Sequence, residues 1–114
     1  MPDHDIIDEQ VFRELVQNVG ADFIGELIGT YLTDAPGLLA DMQKALEVDN
    51  ADAFRRAAHS FKSNSATFGA AVLSAQAKEL EMIAKSGSLD GAAPKLAELE
   101  VEYEKVRDQL RELE

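Results

Sequence analysis

The chain has 114 residues and a formal net charge of −11, with 22 acidic side chains against 11 basic ones and no cysteine. That length can bury one hydrophobic core; the missing cysteines exclude a disulfide framework or thiolate metal site, and the charge opposes binding to nucleic-acid phosphates or anionic lipid. The acidic start, Met1 to Asp5, leads into no long apolar run, so neither signal peptide nor membrane span is expected and a cytoplasmic location is the default.

Residues 1–7 read as a loose lead-in, in which His4 is assigned no role. Asp8 caps a short first helix that lines up Phe12, Leu15, Val16 and Val19 and stops at Gly20. A second helix opens at Ala21 or Asp22 and carries Phe23, Ile24, Leu27, Ile28, Tyr31 and Leu32 on one broad apolar face. Pro36 either kinks this helix or, with Asp34 as a cap, starts another that bears Leu38, Leu39, Met42 and Leu46. The apolar stripe keeps its phase from Tyr31 through Ala35 to Leu38, which favours the kink. Val48 to Asn50 supplies the next turn and cap. The following helix runs to Phe68, Gly69 breaks the chain, and a further helix with Leu73, Ala77, Leu80 and Ile83 ends at Ser86-Gly87. The last helix begins between Ser88 and Ala93 and tolerates Pro94 in its first turn. In it Leu89, Leu96, Tyr103 and Leu110 recur at heptad spacing, as do Ala92, Leu99, Val106 and Leu113. Strand-period alternation is absent. The expected fold is all-α: one domain over residues 1–114, an antiparallel four-helix bundle with an additional short N-terminal helix.

The chain is organised around the stretch from Arg55 to Gly69. At about 100° per residue, Phe54, Ala58, Phe61, Ser65 and Phe68 fall within roughly 40° of one line, a core-facing stripe. His59 lies about 140° from that line, with Arg55, Arg56, Lys62, Ser63 and Ala66 as its helical neighbours. The helix therefore buries its aromatics and displays an imidazole to solvent. Small residues from Ser63 to Thr67 leave little bulk in the way of a partner approaching the ring. Ser65, on the buried stripe, reads as a packing residue whose hydroxyl bonds to a carbonyl one turn earlier. Glu98, Glu100, Glu102 and Glu104 read as a solvated bundle surface.

The spacing of His59, Lys62, Ser63, the small run and Gly69 resembles the histidine phosphotransfer (HPt) domains of multistep two-component signalling. Their pattern is H-x-x-K-G, then small residues and a glycine ten positions after the histidine; Ser63 stands where the family mostly has glycine. The resemblance extends to the order of helices and to the segment Phe23 to Ala40 with its Asp34-Ala35-Pro36. It implies that His59 accepts a phosphoryl group from a receiver-domain aspartyl phosphate and later passes it to another receiver, with Lys62 compensating phosphate charge. It also implies partner contacts from Arg55, Arg56, Ser63, Ala66 and Gly69. The implied partners are response-regulator receiver domains and a hybrid histidine kinase. No cofactor or metal is implied here, because the Mg ion belongs to the receiver. There is no Gly-rich nucleotide loop, so the phosphoryl group must come from another protein. A monomer is expected, since the heptad seam is satisfied inside one bundle.

Other chemistries fit less well. A di-iron bundle needs Glu-x-x-His on two helices, yet Arg56 stands three residues before His59. No acidic orienter stands beside His59 along the chain, so a Ser-His-acid set has no support. No Asp or Glu occurs from Ala53 to Lys78, a window holding Arg55, Arg56, Lys62 and Lys78. The gap reflects either burial or a basic island facing an acidic receiver pocket. The alternative function is a helical docking module that binds a receiver or kinase without carrying phosphate; Ser63 favours it and the His59 and Lys62 pair opposes it.

Overall fold

Helices make up nearly all of the computed structural model, which describes residues 6–114. They are α1 (Glu9–Val19), α2 (Ala21–Glu47), α3 (Ala51–Thr67), α4 (Ala71–Lys85) and α5 (Ala92–Leu113), with no strand among the described residues. His4 lies outside the described residues.

Local chemistry places each boundary. The Asp8 carboxylate accepts hydrogen bonds from the Gln10 and Val11 amides and so caps α1. Ile7, just before the cap, is buried in the core, and Phe12 packs at the core's edge, the spacing of a hydrophobic staple. Ile7, expected in a loose lead-in, is therefore part of the core, and Ile6 packs at its edge. α2 continues through Pro36, which sits on an exposed position where the carbonyl it cannot serve can turn to water. Its buried line is Ile24, Ile28, Tyr31, Ala35, Met42 and Ala45. Phe23, expected on that face, is instead exposed, one position off the line.

Two helix ends close in the same way. After α2 the Asn50 amide donates to the Ala45 carbonyl at 2.8 Å and the Asp49 amide to Leu46 at 3.2 Å, with Asp49 at φ 53°. The Asn50 side chain then accepts from the Ala53 amide at 3.0 Å and caps α3. After α3 the Ala70 amide donates to Ser65 at 3.2 Å and the Gly69 amide to Ala66 at 3.0 Å, with Gly69 at φ 81°. A Cβ on Gly69 would meet the Asp8 carbonyl oxygen and the Val11 Cβ at 3.0 Å, and the Gly69 carbonyl accepts the Asp8 amide at 2.8 Å. Glycine thus lets α3 stop and α1 lie directly on the turn.

Contacts run from α2 to α3, α3 to α4, α4 to α5 and α5 back to α2, so the four long helices close a ring, while α1 touches α2 and α3. Inside it Ile28, Met42, Phe54, Phe61, Leu80 and Leu99 are fully buried. The heptad positions of α5 are buried as expected, except Leu113, exposed at the helix end. In α4 Ala84 is buried while Ile83 packs at the core's edge. Tyr31 links three helices: its ring centroid lies 5.1 Å from Phe68 and 6.2 Å from Tyr103. Its hydroxyl shares a hydrogen bond of 2.8 Å with the buried Ser65 hydroxyl. Ser65 therefore bonds across to α2, not back to a carbonyl of its own helix. Burial pushes the Tyr31 hydroxyl well above its usual pKa, the Ser65 bond opposing, so it stays a neutral structural group.

Candidate functional site

α3 is amphipathic in the way its residues require. Phe54, Ala58, Phe61 and Ser65 have no exposure, and the opposite side presents His59, Ser63 and Ala66 to solvent. The His59 side chain is 58% exposed. Lys62, one turn on, is 27% exposed, its stem lying against the bundle.

α4 contributes a residue that helical spacing along α3 could not reveal. Glu81 places one carboxylate oxygen, Oε2, 2.8 Å from His59 Nδ1 and the other, Oε1, 2.8 Å from Lys62 Nζ. Its side chain is 15% exposed. The imidazole therefore has an acidic partner, contrary to expectation, and it comes from 22 positions further along the chain. The Lys62 ammonium, followed by the His59 ring, holds the Glu81 carboxyl below the usual carboxylate range, with desolvation opposing. A second tie fixes the two helices at this level: the Ser74 hydroxyl donates to the Lys62 carbonyl at 3.2 Å.

The expected docking residues divide. Ser63 and Ala66 are exposed on the His59 side. Gly69 is buried under the first turn of α1, and its backbone lines an open groove with Val11, Ala66, Ala71, Ala75 and Lys78. Its glycine identity is set by α1 packing and positive φ. Arg55 and Arg56 both pair with Asp52, at 2.9 and 3.3 Å, and hold its carboxyl below the usual range. The acid-free window is thus answered from its flanks: Asp52 just before it and Glu81 just after it neutralise much of its charge.

Chemically, the arrangement offers an accessible imidazole with one nitrogen engaged and, among the described residues, no hydrogen bond to Nε2, beside an ammonium one turn away. Among the described residues no three His, Cys, Asp or Glu side chains gather as a metal site requires. No described helix is long and apolar enough to cross a membrane.

Known proteins share this arrangement of helices. A family model for the Hpt domain matches residues 26–109. The crystal structure of histidine-containing phosphotransfer protein B from Pseudomonas aeruginosa PAO1 superposes with a TM-score of 0.89 at 32% sequence identity, over 94% of this chain and 92% of that one. No curated protein matches. The family match takes in all of α3 and α4 and most of α2 and α5, and with them His59, Lys62 and Glu81. The chain belongs to the Hpt domain family.

Proposed function

We propose that the protein relays a phosphoryl group between receiver-domain aspartates, carried in transit on His59. The observation that carries this reading is the solvent-facing imidazole with Lys62 one turn away, on a helix whose opposite face is fully buried. A neutral imidazole near pH 7 is a nucleophile, and transfer between acyl phosphate and phosphohistidine asks mainly for in-line positioning and charge compensation. Lys62 supplies the charge. In this reading α2 to α5 form one antiparallel four-helix bundle with α1 as an addition, a single domain acting as a cytoplasmic monomer. The Mg ion sits in the partner receiver, and a hybrid histidine kinase feeds the relay.

Incubation with a phosphorylated receiver is expected to leave an acid-labile, base-stable label on the protein. His59→Gln abolishes that label while helicity and melting stay unchanged; label retained in a folded variant defeats the assignment. Ser63, exposed beside the histidine face, favours a second reading, a docking module that carries no phosphate. That module would bind receivers with wild-type protein remaining unlabelled.

A further inference from the structure

His59 stands between two polar side chains on the open side of α3. On the helical wheel Lys62 lies about 60° to one side of it, the side of α4, and Ser63 about 40° to the other. Ala66, two turns on and nearly in line with the ring, offers only a methyl group. The Lys62 ammonium already answers Glu81 at 2.8 Å, which draws it towards α4. Ser63 is exposed and leans back, as helical side chains do, over the turn from which His59 projects. Two other exposed hydroxyls turn inward: Thr33 donates to the Gly29 carbonyl at 2.9 Å and Thr67 to the Ser63 carbonyl at 3.1 Å. Among the described residues the Ser63 hydroxyl has no such bond and no other protein partner, so its proton can meet an incoming acceptor.

We propose that Ser63 is a catalytic residue of phosphoryl transfer at His59: its hydroxyl donates a hydrogen bond to a phosphoryl oxygen as the group arrives, across the ring from the Lys62 ammonium. The inference rests on His59 being the phosphoacceptor. In the step itself a lone pair of the imidazole forms the bond to phosphorus while the phosphorus–oxygen bond to the donor aspartate breaks, its electron pair staying on the aspartate carboxylate. The serine proton is not transferred. Negative charge is spread over three phosphoryl oxygens during the transfer. Lys62 meets that charge from the α4 side, and Ser63 supplies a charge-assisted donor on the side that α4 leaves open. The same bond persists in the phosphohistidine. The side chain at this place therefore holds the group that the receiver delivers, and does not merely leave room for the receiver.

Ser63→Ala and Ser63→Gly both remove the hydroxyl, and the second also clears the bulk. Alanine is a better helix former than serine and the position is exposed, so slower transfer by Ser63→Ala owes nothing to lost structure, which a urea midpoint checks. Labelling is followed from two donors: a phosphorylated receiver at saturating concentration, where docking no longer limits the rate, and phosphoramidate, a small molecule that labels without docking. Both variants are expected to take label from the receiver about five-fold more slowly than wild type, and to slow with phosphoramidate as well. Either variant matching or outpacing wild type with the receiver overturns the proposal and leaves Ser63 as bulk beside the ring. Slower transfer from the receiver with phosphoramidate labelling unchanged also overturns it, and assigns the hydroxyl to the receiver. Wild type that takes no label from either donor removes the phosphoacceptor reading and this inference together, whereas wild type that labels while Ser63→Ala keeps pace removes this inference alone.

Discussion

Phe54, Ala58, Phe61 and Ser65 are fully buried on one side of α3, while His59 on the other side is 58% exposed and Ser63 and Ala66 lie open. The buried side packs into the core against α2, α4 and α5: the Phe61 and Tyr103 rings lie 5.9 Å apart, and Ser65 is bonded to Tyr31. The open side holds its groups with a few charged bonds to α4 and to Asp52. Buried aromatics carry several kcal/mol each, whereas solvent-exposed ion pairs contribute about 0 to 1 kcal/mol. Stability and chemistry are therefore separable along one helix. Phe61→Ala tests that division from the core side. It is expected to lower unfolding free energy by about 3 to 5 kcal/mol, read from the urea midpoint, while the protein that remains folded still takes label on His59. A variant that kept its midpoint would show that this face is not the structural one.

The two sides meet at Gly69, where α3 ends and α1 rests on the turn. An alanine there adopts positive φ and presses its Cβ against backbone and side chain at 3.0 Å. Gly69→Ala is expected to destabilise by on the order of 2 kcal/mol, with faster hydrogen exchange in the first turn of α1. Unchanged stability would return this glycine to the partner-facing surface.

Legibility follows the same division. The core stripe of α3 could be read from its own period, because every member lies on one helix and burial depends on phase alone. The caps at Asp8 and Asn50 and the breaks at Gly20 and Gly69 were legible for a similar reason, being satisfied within a few residues. Ser65 and Glu81 were misread or missed because their partners come from other helices. A helical wheel cannot bring Tyr31 to Ser65, or α4 to His59. A signal for Glu81 did exist: Leu73, Ala77, Leu80 and Ala84 bury one side of α4, and Glu81 stands beside Leu80 at the edge of that side. Asp52 was nearer still, three and four positions before the two arginines it pairs with. Ile6 and Ile7 escaped because two adjacent apolar residues ahead of a cap are too short a run to show a period.

Lys62 tests the division from the chemical side. Its ammonium bonds only Glu81 among the described residues, on a side chain 27% exposed. Lys62→Ala is expected to slow phosphotransfer about ten-fold, equivalent to about 1.4 kcal/mol of transition-state stabilisation. The loss in folding stability should stay under about 1 kcal/mol. Rapid-quench transfer kinetics and a urea midpoint on the same preparation separate the two quantities. Transfer at the wild-type rate would make Lys62 a mere counter-ion to Glu81.

The smallest expected effect concerns long-range charge. On the histidine side Arg55, Arg56 and Lys62 face Asp52 and Glu81, which leaves one net positive charge beside a neutral imidazole, on a chain whose net charge is −11. This patch is a weaker attractor than an acid-free window would suggest, yet it keeps a net positive charge on an acidic chain. Steering of this kind acts on association and is screened over a Debye length of about 8 Å at physiological salt. Reversing both arginines to Glu places two further carboxylates beside Asp52. It is expected to lower the receiver association rate several-fold and to flatten or invert its salt dependence, with dissociation and melting little changed. Asp52→Asn makes the opposite change, freeing both guanidinium groups, and should raise association at low salt while leaving the rate at high salt as it was. If stopped-flow association moves the same way in both variants, the arginines act through α3 and not through the field, and the acid-free window owes its composition to burial alone.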